Sequence, residues 1–284
     1  MWLPWTYALG IAGAFVAVSL AARRSTVDRA STLAAFAREA AVVMVLYALW
    51  IVAGRLSLID VDGAFDRARW WWDLERTFLL PNEATVQGWF LPAGWFIQLN
   101  NGYYAIVHVP AMIGTLIWMW VRHRDHYPSL RNLLALSTGA SLIMQLWAVA
   151  PPRFLDDLGI VDTPALYNQS VYAALGYQTA GQLQAMPSIH VVWAVLIGYF
   201  GFRLANGWWR WLGPAHAAAT VFVVVVTGNH YWVDGIVAAV ILALFVPIER
   251  LVRSRFSRRR NGMSMSQDVP HSHNLTDSTP ESVG

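Results

Sequence analysis

The sequence predicts an all-α protein: a polytopic membrane helical bundle of six to seven spans, with an interfacial amphipathic helix between spans 2 and 3. Three observations carry that prediction. Of the 284 residues, 56% are hydrophobic and only 13% charged, and the mean hydropathy of +0.41 lies far from a soluble balance. Apolar runs of about 20 residues, the length that crosses a hydrocarbon core of ~30 Å, recur along the chain. The 16 Trp and 10 Tyr gather near the ends of those runs, where a ring that is apolar at one end and wet at the other acts as an anchor. Cysteine is absent, which excludes disulfides, thiolate nucleophiles and Cys-bound metals.

The runs fall at 3–21, 34–54, 101–121, 132–150, 188–205, 211–228 and 233–249. The first two make an N-terminal pair within residues 1–55. A secretory signal is a poor reading of the first run, because Arg23 and Arg24 follow the apolar stretch instead of preceding it. All 20 basic residues are Arg, and 15 of them lie in the segments 22–39, 122–131, 203–210 and 249–284. The positive-inside rule makes that set cytoplasmic, together with the C-terminus, and describes a multi-pass protein of the cell membrane. The opposite face collects 10 of the 17 acidic residues, among them Asp73, Glu75, Asp157 and Asp162.

Residues 56–100 exceed a plain turn. "FDRARWWWDLERTFLLP" spaces charges and aromatics at helical intervals without the apolar length to span, so it predicts a helix in the outer interface, with a second through "QGWFLPAGWF". Residues 101–252 hold the remaining spans, and 253–284 read as a basic stretch followed from Asn261 by a disordered tail. "RSRFSRRR" suits anionic lipid at the inner surface, and "HSH" at 271–273 is tail composition. No repeat and no nucleic-acid motif is present.

Ionisable groups at the edge of a span are costly and therefore functional candidates. Most of them collect on the outer face: His190 after "MPS", His230 and Asp234 in "TGNHYWVDG", His108 and Tyr104 in "YYAIVHVP", and Arg153 in "APPRF". His230 and Asp234, four apart, share one side of a helix. The carboxylate can then hold one imidazole nitrogen and leave the other as a nucleophilic lone pair. Pro187 suits a helix start, so the amides of Ser188, Ile189 and His190 offer an anion site reinforced by the helix dipole, with His190 placed to protonate a departing oxygen. Arg153 adds a fork-shaped donor. The set describes phosphoryl transfer with no metal and no cofactor. His123 and His126 read as solvated, and nothing near His216 in sequence gives it a role.

These residues resemble motifs of the type-2 phosphatidic acid phosphatase superfamily, and more closely its branch containing inositol phosphorylceramide synthases. "YAIVHVP" at 104–110, "MPSIH" at 186–190 and "HYWVD" at 230–234 carry the resemblance, which covers roughly residues 95–250. "APPRFLDDLGIVDT" looks like the loop before the second motif in bacterial members. The resemblance implies that His230 attacks phosphorus, that Asp234 orients it, and that His190 serves as acid and then as base for a water or alcohol acceptor. Arg153, Ser188, Tyr104 and His108 are left to hold the phosphate.

Two departures bear on substrate. The phosphatases carry a lysine-containing first motif, whereas this chain has no Lys, and Val223 and Val224 stand where their third motif has Ser-Arg. Fewer cations suit a phosphodiester better than a monoester, which favours headgroup transfer between lipids of the bilayer. The competing expectations are a lipid phosphate monoester phosphatase and a non-enzymatic proton or ion transporter.

Overall fold

The computed structural model describes residues 3–25, 27, 29–56, 62–170 and 182–267. Among them the structure is helical, with no strand beyond one isolated parallel bridge between Val149 and Gln184. Eleven α-helices follow in order: α1 Trp5–Arg23, α2 Ala30–Leu56, α3 Ala64–Thr77, α4 Glu83–Phe90, α5 Gly94–Ile106, α6 His108–Arg122, α7 Tyr127–Met144, α8 Thr163–Leu166, α9 Ile189–Leu204, α10 Leu212–Val226 and α11 Val233–Gln267.

Four segments are long and apolar enough to cross a membrane: α1, Ala30–Val52 of α2, Gly207–Val226 ending in α10, and Val233–Arg255 of α11. The pair α5 and α6, bent by 50°, makes a fifth when counted as one span. The bend falls inside the expected run 101–121, and Pro110 explains it. That residue has no N–H for the carbonyl of Ile106, and its ring crowds the same carbonyl, so α5 stops there.

The expected fourth span, 132–150, is helical only to Met144, and the chain has left the helix before Pro151, which is itself extended. The fifth expected span is α9, an apolar helix of 16 residues that is short for a full crossing. "QGWFLPAGWF" is the junction of α4 and α5, broken at Leu91-Pro92. Helix α11 runs past Asn261 to Gln267, and residues 268–284, including the 271–273 triplet, lie outside the described residues.

Small residues set the two closest helix contacts. Ala8, Ala12, Ser19 and Ala22 of α1 are buried, as are Ala34, Ala37, Ala41 and Ala48 of α2, and Ser19 Oγ donates to the Ala34 carbonyl at 2.8 Å. Between α9 and α10 a Cβ on Gly213 would come within 3.0 Å of the Ile197 carbonyl oxygen and 3.1 Å of Gly198 Cα. Those backbones therefore touch directly, which draws the helix that carries His190 in its first turn against the helix that carries His216.

Helix α3 turns Ala64, Ala68, Trp72 and Glu75 inward at spacings of four, four and three. That face packs on Ala148, Val149, Ala150, Leu155, Met186, Tyr231 and Val233, while Phe65, Trp70 and Phe78 stay exposed. The expected interfacial helix is thus also a lid of protein on the loops that carry the motifs.

Candidate active site

One helix end and two helix starts build the site. Helix α10 closes in a left-handed glycine cap: Gly228, at φ +67°, donates to the Val225 carbonyl at 2.9 Å, and Asn229 donates to Val224 at 2.9 Å. A side chain at Gly228 would press on Ile160 Cγ2 at 2.9 Å and Arg153 Cβ at 3.0 Å. This turn delivers His230, whose own N–H also reaches the Val224 carbonyl, at 3.1 Å. Helix α9 begins at the N-cap Ser188, whose Oγ accepts from Val191 N at 3.4 Å, and places His190 in its first turn.

Asp234, fully buried in the first turn of α11, ties these ends together. Its Oδ1 accepts from Ser188 N at 2.5 Å and its Oδ2 from Tyr231 N at 3.1 Å. His230 Nδ1 lies 3.6 Å from Asp234 Oδ2, but its hydrogen bond goes to the Ala185 carbonyl at 2.7 Å. The carboxylate expected to hold this nitrogen thus stands beside it, and the hydrogen bond itself goes to a backbone carbonyl. Because a carbonyl only accepts, Nδ1 carries the proton and Nε2 carries the lone pair. That carbonyl is itself held by the bridge, in which Ala185 N donates to Val149 O and Val149 N donates to Leu183 O, each at 3.0 Å.

His230 Nε2 faces the Tyr104 hydroxyl at 3.3 Å. The His190 ring lies 6.2 Å from the His230 ring and 4.7 Å from Tyr104, both edge-on. His108 lies 4.7 Å from His190, only 2% exposed, and among the described residues neither of its ring nitrogens has a hydrogen-bond partner. The structure therefore brings together His230, Asp234, His190, Ser188, Tyr104 and His108 from α5, α6, α9, the turn after α10, and α11.

Two expectations about phosphate change. The Ser188 amide already serves Asp234, so of the three amides expected to hold an anion those of Ile189 and His190 remain, first-turn donors that have no partner within their own helix. Arg153, 6% exposed, donates to Asn229 Oδ1 and, at 2.7 Å, to Gln182 Oε1, and its Nε lies 3.4 Å from Asp162 Oδ2. It meets the site through Asn229, the residue before His230.

Other contributors gave no signal in the sequence. The Tyr103 hydroxyl pairs with His216 Nδ1 at 2.6 Å, and the His216 ring lies 6.1 Å from His108. Gln145 donates from Nε2 to the Pro187 carbonyl at 2.8 Å. Glu75 of α3, fully buried, accepts from Val233 N at 2.7 Å and so caps the helix of Asp234. Arg76 bonds Glu83 at 2.9 Å and approaches Glu75 at 3.5 Å. Burial, with the hydrogen bond and charge of neighbouring Glu83, pushes the Glu75 carboxyl up to about 9. Of these, only the i,i+4 stripe on α3 hinted at an inward Glu75. Among the described residues no three His, Asp or Glu side chains converge tightly enough to hold a metal ion.

A family model described as the PAP2 superfamily matches residues 69–248, and the chain belongs to that superfamily, whose members are phosphatases or phosphotransferases. The match begins inside α3 and ends inside α11, so it takes in all three histidine-bearing motifs. No curated protein and no solved structure matches the chain.

Proposed function

We propose that the protein transfers a phosphoryl-containing group from a membrane lipid through a phosphohistidine on His230, at the outer leaflet of the cell membrane, with headgroup transfer to an alcohol favoured over hydrolysis. The observation that carries this reading is the fixed tautomer of His230: Nδ1–H is held by the Ala185 carbonyl, so the lone pair of Nε2 points toward Tyr104. An imidazole oriented in this way is a nucleophile aimed at one place.

In the first step Nε2 forms a bond to phosphorus, the bond from phosphorus to the leaving oxygen breaks, and His190 gives that oxygen a proton. The phosphorylated ring keeps Nδ1–H and gains positive character. The Asp234 carboxylate, 3.6 Å from Nδ1, stabilises that charge in a site where water does not screen it. The amides of Ile189 and His190 at the start of α9, with Tyr104, hold the phosphoryl oxygens. In the second step His190 takes the proton of the acceptor, whose oxygen displaces Nε2 from phosphorus and restores the free imidazole.

The motifs shared with inositol phosphorylceramide synthases, the absence of Lys and the pairing of Arg153 with Asp162 support a singly charged phosphodiester over a monoester. A monoester phosphatase reading uses the same first step and differs only in the acceptor. His230→Ala, purified in detergent and given radiolabelled phosphatidylinositol or phosphatidate in mixed micelles, is expected to lose both turnover and the acid-labile phosphoenzyme. Normal turnover by that variant would overturn the mechanism.

A further inference from the structure

Beside His190 lies a second polar group that the two-step chemistry does not use, and Tyr104, 6.0 Å from His108 and 6.1 Å from His230, links it to the nucleophile. The group consists of Tyr103 on α5, His108 at the start of α6 and His216 on α10. The His108 ring lies 4.7 Å from that of His190, 5.6 Å from that of Tyr103 and 6.1 Å from that of His216. Tyr103 and His216 are hydrogen-bonded to each other at 2.6 Å. Three ring nitrogens in this group, both of His108 and Nε2 of His216, are buried without a partner among the described residues. A buried polar atom left unpaired costs about 1–3 kcal/mol, so a set of three concentrated beside a catalytic group calls for a ligand.

The chemistry of the set narrows the ligand. A neutral imidazole offers one donor and one acceptor, and a phenol offers both, whereas phosphate oxygens only accept. The rings around His108 are Tyr103, Tyr104, His190 and His216, none of which brings a permanent positive charge. A hydroxyl, at once donor and acceptor and uncharged, satisfies such nitrogens. The position fits as well: a hydroxyl on His108 sits next to His190, the group that must take its proton in the second step.

We infer that Tyr103, His108 and His216 form the acceptor subsite, binding the hydroxyl of the alcohol that attacks the phosphohistidine. His108 binds it directly, and Tyr103 and His216 orient it. The inference rests on the proposed phosphohistidine reading. In the step it governs, the acceptor O–H passes its proton to His190, the new O–P bond forms, the Nε2–P bond breaks, and the electron pair returns to Nε2. The alcohol has two possible sources. Tyr103 and His216 are half-buried on helices that count among the candidate spans, which suits a lipid alcohol, whereas a water-soluble alcohol would come from the outer face.

The test uses the full chain in detergent micelles. The enzyme is charged with radiolabelled phosphatidylinositol or phosphatidate, then offered either dioleoylglycerol in the micelle or glycerol in the water. The measured quantity is the ratio of transfer to hydrolysis per phosphoenzyme formed, which is independent of how much variant folds. In His216→Ala and Tyr103→Phe the ratio is expected to fall by about tenfold, the scale of one lost hydrogen bond, for whichever alcohol the wild type uses. His216→Gln, which keeps a side-chain amide near Tyr103, is expected to recover part of it. Unchanged ratios in both variants, or no transfer to either alcohol by a wild type that does form phosphohistidine, overturn the subsite and leave the His230 chemistry standing. Absence of phosphohistidine in the wild type removes both.

Discussion

Next to His230 the Arg153 guanidinium bonds Asn229 and Gln182 and lies beside Asp162, whereas His108, equally shielded from solvent, has neither nitrogen bonded among the described residues. The first region is a wall. Asp234 belongs with it, since both its oxygens accept backbone amides, and so does Glu75, which caps the helix of Asp234. The second region is a floor whose polar atoms wait for a partner. Burial alone does not separate scaffold from binding surface, but hydrogen-bond satisfaction does. Polar groups of the wall fix the backbone around His230, and those of the floor are, on the acceptor-subsite proposal, left for what enters the site.

The contrast breaks most visibly at Asp234. Asp234→Ala leaves the amides of Ser188 and Tyr231 buried without acceptors, at about 1–3 kcal/mol each, so a loss of about 2–6 kcal/mol is expected in thermal or denaturant unfolding in detergent. Asp234→Asn keeps one acceptor oxygen and is expected to lose less stability while still losing activity, because the negative charge beside His230 Nδ1 is gone. Equal stability of Asp234→Ala and the wild type would remove Asp234 from the wall.

Much of this was legible in the sequence, and the boundary has a physical reason. Apolar length gave the spans α1, α2, α10 and α11, because lipid forces every backbone group of a span into local helical bonds. The helix start after Ser188 and the nearness of His230 to Asp234 are local features, although His230 lies in the turn before α11 and not on one helix face with Asp234. What the motifs meant for contacts was not local. Ala185 reaches His230 across 45 residues and Glu75 reaches Val233 across 158, and no periodicity encodes either pairing. Tyr103 and His216, 113 residues apart, meet where α5 runs beside α10, so His216 looked isolated in the chain. Pro110, by contrast, marked the break between α5 and α6 in plain view, yet the hydropathy run across it is continuous.

Glu75 sharpens the wall from outside the spans. Its carboxyl is raised from 4.5 to about 9, so the folded state holds a proton that the unfolded chain releases near pH 4.5. The folded protein therefore binds more protons over that interval, and stability is expected to fall as pH rises from about 4.5 toward about 9. Glu75→Gln keeps an oxygen for Val233 N and cannot ionise. In unfolding measurements across that window the variant is expected to show a flatter pH dependence than the wild type, with the difference growing toward pH 9. Parallel curves would mean that Glu75 is ionised throughout.

The smallest expected effect is the most discriminating, because it falls on the floor. His108 is as buried as Asp234, and by burial alone its loss should be costly. If its nitrogens are unpaired in the free protein, as they are here, replacing the ring with an apolar side chain of similar size removes an unmet desolvation cost and sacrifices no hydrogen bond. His108→Leu is therefore expected to leave the unfolding midpoint unchanged or to raise it, while transfer to an alcohol falls. A destabilisation of more than about 1 kcal/mol would place His108 in the wall, bonded in the free state, and the distinction between the two regions would fail at the residue that defines it.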